Sequence, residues 1–213
     1  RIKYIFVVLS LVSFLSFGQT RIDSISKTMG LIQPKYLKKG DSIMIVASAG
    51  ILINRNEIID EAQKLAESWG LKVFIGDHVF NQNNHFAGTD EERASDFQKA
   101  LDNPSIKAIW CARGGYGSGR ILDKLDYTKF KVSPKWIIGY SDVTVLHNHI
   151  NQNFRIETLH ATMPINFKSN SAGSLESLKI ALFGKELNYE FEPHQLNRNG
   201  SSAGEVVGGN LSI

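Results

Sequence analysis

Short apolar runs alternate with helical patterns along the middle of this 213-residue chain. The runs have the β-favouring composition of buried strands, and most are followed by an amphipathic or capped segment. The predicted strands lie at residues 42–49, 71–75, 106–112 and 136–139, and the clearest predicted helices at 55–69 and 89–101. Strands that alternate with helices form a parallel sheet covered on both faces. We therefore predict an α/β fold with a doubly wound, mostly parallel sheet, Rossmann-like or flavodoxin-like.

The strand predicted at 136–139 runs into a helical pattern through Tyr140, Ser141 and Asp142. A serine at such a turn presents its hydroxyl at the carboxyl end of the strand, beside the N–H groups that open the helix. A serine nucleophile needs this arrangement, because negative charge developing on the substrate oxygen meets donors already in place. The same residues also fit an ordinary cap, in which Ser141 or Asp142 accepts a first-turn N–H. Val143 stands where the Gly-x-Ser-x-Gly pattern has its second glycine.

A glycine-rich loop from Arg113 to Arg120 follows the strand predicted at 106–112. Four glycines in six residues allow positive φ angles and a close approach of the backbone to a ligand. Loops at the carboxyl ends of neighbouring strands converge on one crevice, so Gly114 and Gly115 are expected to face Ser141 if the two strands are neighbours. A phosphate- or nucleotide-binding loop is the alternative, although Arg120 stands where a third glycine is needed and no Gly-Lys-Ser/Thr follows.

Five segments, in order and with similar spacing, resemble the LD-carboxypeptidases, a family of serine peptidases that includes the microcin-immunity-type hydrolases. They include Gly-Asp-Ser-Ile-Met-Ile-Val-Ala-Ser, Phe-Ala-Gly-Thr-Asp-Glu-Glu-Arg, Arg-Gly-Gly-Tyr-Gly and Gly-Tyr-Ser-Asp, and they lie at residues 40–48, 86–93, 113–120, 139–142 and 208–211. The resemblance extends over roughly residues 34–213.

The resemblance implies that Ser141 attacks the amide between an L-centre and a terminal D-amino acid, typically the D-alanine of a murein tetrapeptide, and forms an acyl-enzyme. It assigns the oxyanion to the Asp142 amide together with Gly114 or Gly115. Arg120 is expected either at the cleft or packed outward against Asp123 or Asp126. The other residues expected to line the substrate cleft are Tyr116, Ser118 and His160. No cofactor is implied, and a homodimer is the assembly that the resemblance suggests.

The base and its acidic partner are expected outside this chain. In the resembled family a histidine and a glutamate follow a Gly-Gly-Asn motif, which here is Gly208-Gly209-Asn210, close to the last residue, Ile213. His147 and His149 are interpreted as solvent-facing or core helix residues, because they follow Ser141 too closely to face its hydroxyl. We therefore predict an N-terminal portion of a longer enzyme that hydrolyses nothing alone. A non-catalytic protein of the cell envelope that binds murein peptides, or a hydrolase of another amide, is the alternative.

The N-terminus predicts export. Residues 1–18 combine a basic start with an apolar run of about 14 residues, which is typical of a signal peptide and shorter than a membrane span. We predict cleavage before Gln19, location in the periplasm or cell envelope, and no membrane insertion after cleavage. A polar lead-in is predicted at 19–39, the α/β domain with the nucleophile at 40–185, and the start of a truncated β-rich second domain at 186–213. Further strands are predicted at 155–159 and 188–193, and a helix at 174–183.

Composition excludes several classes of function. The formal net charge is only +3 and no basic block is present, so no nucleic-acid partner is predicted. The single cysteine, Cys111, rules out an internal disulfide and a multi-cysteine metal site. The six histidines show no metal-ligand spacing, and we predict no metal and no cofactor.

Overall fold

The computed structural model describes residues 30–52, 56–190, 192–198, 200–201, 203–204 and 208–210. One compact unit holds the described residues of Ile32–Asn197 and residues 208–210. The predicted signal peptide and the first half of the predicted lead-in lie outside the described residues. Over the ranges described, no helix has both the length and the apolar character needed to cross a bilayer.

Five parallel strands form one sheet in the order β2-β1-β3-β4-β5. The strands are β1 Ser42–Val46, β2 Lys72–Ile75, β3 Ile106–Cys111, β4 Trp136–Gly139 and β5 Leu159–His160. The helices are α1 Asn56–Ser68, α2 Asp90–Asp102, α3 Ser118–Ile121, α4 Thr128–Val132, α5 Thr144–Phe154 and α6 Ala172–Leu182. Three 3-10 segments cover Leu122–Lys124, Ser141–Val143 and Pro164–Ser169. The predicted α/β class is confirmed, and the strand order is the flavodoxin-like one.

The two faces of the sheet are buried in separate cores. On one face, alternate strand residues such as Ile45, Trp110 and Ile138 pack with α1 and α6. On the other face, their sequence neighbours, such as Val46 and Ile109, pack with α2, α4 and α5. Because both faces are covered, the central strands are almost uniformly apolar, and this is why they are recognisable in the sequence.

The predicted capping box of α2 is present. The Thr89 hydroxyl accepts from the Glu92 N–H at 3.2 Å, and the Glu92 carboxylate accepts from the Thr89 N–H at 2.8 Å. These two bonds satisfy donors that a helix start leaves without intrahelical partners. The helix therefore begins where its sequence signature predicts.

One predicted strand has the wrong bounds, and another is wrong. Of residues 155–159 only Leu159 is in a strand, because Arg155 turns the chain after α5 with a left-handed φ of 56° and Ile156 makes an isolated bridge to Ile32. The described residues of 188–193 form no strand either. Their alternating pattern needs a partner strand, and no strand pairs with them in the part of the chain that the structure describes. The domain boundary near 185 stays a prediction.

Candidate active site

Ser141 lies at the tip of a sharp turn between β4 and α5. Tyr140 is extended, with φ −152° and ψ −172°, and Ser141 then adopts a left-handed φ of 59°. This conformation costs an L-residue roughly 1–2 kcal/mol, and it is typical of the turn that exposes a serine nucleophile above a parallel sheet. Ser141 is partly exposed there.

The turn closes tightly on its strand side. A methyl group on Gly139 would lie 2.8 Å from Val143 Cγ1, so the valine packs against the bare Cα of the glycine. Val143 is itself fully buried. One glycine two residues before Ser141 is therefore enough for this turn, and the second glycine of the Gly-x-Ser-x-Gly pattern is not needed.

The capping alternative is not what the structure shows. Tyr140 and Val143 occupy the N-cap positions of the 3-10 segment and of α5, and neither side chain makes a capping hydrogen bond. The Asp142 carboxylate is directed elsewhere, to a backbone N–H in the glycine-rich loop. Ser141 is thus placed by the turn and not by a cap.

The glycine-rich loop lies beside this turn, as predicted, because β3 and β4 are neighbours. A methyl group on Gly114 would lie 3.4 Å from Ser141 Cβ and 3.5 Å from the backbone nitrogen of Asp142. The corresponding position on Gly115, which has φ 110°, is 3.7 Å from Gly50 in the loop after β1. Gly114 therefore faces Ser141 directly, and Gly115 lies against the neighbouring loop.

The side chain of Asp142 ties the two loops together. It is 2% exposed, and its Oδ2 accepts from the backbone N–H of Ser118 at 2.8 Å. The Ser118 hydroxyl is fully buried and lies 2.9 Å from Ser48 Oγ. Ser118 was expected to line the substrate cleft, and this expectation is wrong, because its side chain joins the loops after β1 and β3 inside the protein.

This contact also argues against the phosphate-binding alternative. A phosphate on the glycine-rich loop would need the N–H groups that open α3. The Asp142 carboxylate already accepts one of them and places a negative charge where a phosphate would lie. The bond from Ser118 to Asp142 holds the glycine-rich loop next to the serine turn.

Removing this carboxylate should destabilise the fold. Asp142→Ala leaves the buried Ser118 N–H without its acceptor, so we expect the free energy of unfolding to fall by about 2 kcal/mol. Urea unfolding of the chain followed by tryptophan fluorescence measures this. Asp123→Ala, at an exposed position, is the matched control and should change stability by less than about 0.5 kcal/mol. Equal stability of the two variants would contradict the role assigned to Asp142.

An aromatic rim lies next to the glycine-rich loop. Tyr116 is 55% exposed, with its ring centroid 6.1 Å from that of Phe86. Arg120 pairs with Asp90 through two hydrogen bonds of 2.9 and 2.7 Å, and its guanidinium lies 5.2 Å from the Phe86 ring centroid. Arg120 therefore pairs with Asp90, and the expectation that it packs outward against Asp123 or Asp126 is wrong. The Arg120 guanidinium holds the pKa of the Asp90 carboxyl below its ordinary value.

The histidines near Ser141 differ in their surroundings. His147 is buried, and its Nε2 lies 2.9 Å from the Gly139 carbonyl oxygen. Burial lowers its pKa to about 4, so the ring is neutral at pH 7. His149 packs against Tyr127 and Phe154. The interpretation of both as helix residues holds, with His147 in the core and His149 partly exposed.

His160 lies at the same edge of the sheet as Ser141. It pairs in register with Gly139, is exposed, and has its ring 6.1 Å from that of Tyr140. It also lines a cavity of about 640 Å³ between the end of β5 and α6, together with Thr162, Ser174 and Ser177. A role in substrate binding stays a prediction for His160, as it does for Tyr116.

Other reactive groups do not compete with Ser141. Burial raises the pKa of the Cys111 thiol to about 12, so it is a core residue, as its place in a strand predicted. Within the described ranges, no three His, Cys, Asp or Glu side chains are grouped in a way that could hold a metal ion.

Sequence reasoning did not find the contacts of Asp142 and His147. The bond from Ser118 to Asp142 spans 24 residues and two loops, and no local pattern indicates it. The His147 bond closes the serine turn from within α5, and no sequence pattern indicates it.

The fold and site define an α/β protein that presents a serine in a strained turn at the carboxyl edge of a flavodoxin-like sheet. Residues 43–161, more than half of the chain, match the family model described as the LD-carboxypeptidase N-terminal domain, peptidase family S66. The chain belongs to this family. The resemblance seen in the sequence is thereby confirmed.

Individual relatives support the assignment. The chain is 35% identical over 186 residues to a probable murein peptide carboxypeptidase of Bacillus subtilis strain 168, covering 85% of this chain and 58% of that protein. It is 35% identical over 112 residues to the murein tetrapeptide carboxypeptidase of Pseudomonas aeruginosa, covering 50% and 36% respectively. Among solved structures, the microcin C7 self-immunity protein MccF in complex with aspartyl sulfamoyl adenosine matches with a TM-score of 0.67 at 26% identity, over 76% of this chain and 50% of that one. The chain thus spans 58% or less of the length of these three proteins.

Proposed function

We propose that this chain supplies the nucleophile of a serine carboxypeptidase that hydrolyses the L,D-amide bond to the terminal D-alanine of murein tetrapeptides. The proposal rests on one observation: Ser141 has a left-handed φ and lies next to Gly114 and the backbone nitrogen of Asp142. The names of the relatives from Bacillus subtilis and Pseudomonas aeruginosa support the choice of a murein peptide as substrate.

The proposed reaction has two steps. Ser141 Oγ bonds to the carbonyl carbon of the penultimate residue, a base accepts the hydroxyl proton, and the C–N bond breaks as the protonated amine of D-alanine leaves. Water then attacks the acyl-enzyme, releasing the shortened peptide as a carboxylate and restoring the serine hydroxyl. The backbone N–H of Asp142, with Gly114 or Gly115, stabilises the negative oxygen in both steps.

We place the base outside this chain. His147 does not fit the role, because its Nε2 is bonded to Gly139 and its pKa of about 4 makes it a poor proton acceptor at neutral pH. The chain alone should therefore hydrolyse nothing. We propose export to the periplasm or cell envelope from the pattern of residues 1–18, and a homodimer remains the expected assembly.

The direct test compares this chain with a longer protein translated from the same reading frame. Each is incubated with a murein tetrapeptide, and released alanine is separated by chirality. The longer protein should release D-alanine and no L-alanine, while this chain should release neither. Tetrapeptide binding by calorimetry without D-alanine release would instead indicate a non-catalytic envelope protein. Thermal stabilisation by nucleotides alone would indicate a nucleotide-binding domain.

A second substrate class has a specific observation in its favour. MccF, whose fold matches with a TM-score of 0.67, was solved with aspartyl sulfamoyl adenosine bound. An aminoacyl-sulfamoyl nucleoside offered to the longer protein tests this class. If the longer protein cleaves this compound and leaves the tetrapeptide intact, its substrate is a peptide antibiotic or a related amide, cleaved by the same serine chemistry.

A methyl group placed on Gly114 should block the oxyanion position without unfolding the domain. The new Cβ fits at ordinary contact distances of 3.4–3.5 Å from Met163, Ser141 and Asp142, so stability should change little. It would nevertheless cover the Asp142 amide, and we expect Gly114→Ala to lower kcat of the longer protein by about 10²–10³-fold. Steady-state kinetics and a thermal melt measure both effects. A large drop in melting temperature, or an unchanged kcat, would contradict this geometry.

A further inference from the structure

His147 closes the turn that carries Ser141. It is the fourth residue of α5, six positions after the serine, and the residue is buried, with 7% exposed. Its Nε2 lies 2.9 Å from the carbonyl oxygen of Gly139, the last residue of β4. The bond therefore joins the end of the strand to the first turns of the helix, with Tyr140 and Ser141 in the loop between them.

The chemistry of this contact fixes the tautomer of the ring. A carbonyl oxygen only accepts, so the proton must be on Nε2. The other nitrogen, Nδ1, is buried and has no hydrogen-bond partner in the described part of the chain. Burial in the core lowers the pKa of the ring to about 4, so the contact is a neutral hydrogen bond at pH 7.

The Gly139 carbonyl is held from two sides. It accepts a hydrogen bond of 3.0 Å from the N–H of Ala161, the residue that follows β5, and a second one from the His147 ring. The sheet contact fixes the direction of the carbonyl, and the histidine fixes the distance between β4 and α5. A φ of 59° at Ser141 persists only where surrounding contacts hold it, and the bond from His147 to Gly139 is one of these contacts.

We propose that His147 is a positioning residue for Ser141, which acts through its hydrogen bond to Gly139 and does not touch the substrate. The inference rests on the proposed function, since it assumes that Ser141 is the nucleophile. In this role the imidazole transfers no proton, although His147 lies close to Ser141 in the sequence. A misplacement of the nucleophile by about 1 Å can cost about 10²-fold in rate, so a small relaxation of the turn is enough to be measured.

The test uses the longer, active protein with three variants. His147→Leu keeps an apolar side chain in the core but removes the donor, whereas His147→Gln can place an N–H close to the position of Nε2. His149→Leu, two residues further along the same helix, is the matched control, because its ring packs against Tyr127 and Phe154 and lies within hydrogen-bond distance of Asn153. kcat and KM for D-alanine release are measured below the melting temperature of every variant.

We expect His147→Leu to lower kcat by about 10–100-fold with KM changed less than about threefold, and His147→Gln to recover most of the loss. His149→Leu should stay within about twofold of the wild type in kcat. An unchanged kcat in His147→Leu, or an equal loss in His147→Gln, would overturn the inference. A merely structural role would lower the melting temperature of His147→Leu and leave its kcat close to that of His149→Leu.

A second measurement decides the matter if His147→Leu does not fold. Long-range ¹H–¹⁵N spectra of the wild-type protein should show the His147 ring protonated on Nε2 and neutral from pH 5 to 8. An Nδ1-protonated ring, or a titration near pH 6.5, would overturn the inference. Ser141→Ala separates the two claims, because activity retained in that variant rejects the proposed function. Ser141-dependent activity together with a fully active His147→Leu rejects only the role of His147.

Discussion

Ser141→Ala in the longer protein should lower kcat for D-alanine release by about four to six orders of magnitude, as expected when a nucleophile that acts together with a base is removed. The hydroxyl forms the covalent bond to the substrate, and no other described side chain is placed to replace it: Cys111 is buried with a raised pKa, and the Ser118 hydroxyl is bonded to Ser48. Ser105→Ala, at an exposed loop position, is the control and should leave kcat unchanged. Measurable Ser141→Ala turnover within a hundredfold of the wild type would contradict the assignment.

The strain at the same position should appear as a difference in stability between two inactive variants. Ser141 has a φ of 59°, which glycine adopts without strain and alanine does not. The free energy of unfolding of Ser141→Gly should therefore exceed that of Ser141→Ala by about 1 kcal/mol, although both variants are inactive. Urea unfolding of the pair measures the difference. Equal stability would show that the turn relaxes when the serine is removed.

Gly117→Ala is expected to have the largest effect on stability. Gly117 has φ 151°, and an added methyl group would lie 2.9 Å from the Cα of Ala49 and 3.2 Å from Phe86 Cδ1. A backbone atom cannot move away as a side-chain end can, so we expect the free energy of unfolding to fall by about 3 kcal/mol. Thermal and urea unfolding of the chain measure the loss.

Gly119→Ala is the matched control for this prediction. It lies two residues further on, in α3, and an added methyl group meets nothing within 4 Å. Alanine is the better helix former, so this variant should equal or exceed the wild type by up to about 1 kcal/mol. Equal losses in the two variants would mean that the loop responds to any substitution and not to the contact with Ala49.

The sheet could be predicted because its strands are buried on both faces. β1, β3 and β4 are apolar apart from Ser42 at the start of β1 and Lys107 in β3, and the capping box at Thr89 marks the start of α2. The nearness of the two loops followed from one rule, that neighbouring parallel strands end at the same edge. Ser141 and Gly114 were thus predicted to lie together on the condition that β3 and β4 are neighbours, and the structure meets this condition.

The remainder of the site depends on contacts between distant residues. The Asp142 carboxylate bonds to Ser118, and Arg120 pairs with Asp90 across 30 residues, and neither partner is indicated by spacing. The strand expected at 188–193 failed for a related reason, because an alternating pattern specifies a face but not a partner. Which side chains join two loops depends on how the whole chain folds, so local sequence patterns do not indicate them.

The most direct test of the central claim is to locate the residue that a serine-directed reagent modifies. The longer protein is treated with a fluorophosphonate that reacts with activated serines, and peptide mass spectrometry identifies the modified side chain, with Ser141→Ala treated in parallel. The adduct should lie on Ser141 and be absent from the variant. An adduct on another residue, or equal labelling of Ser141→Ala, would show that the hydroxyl at this turn is not the nucleophile.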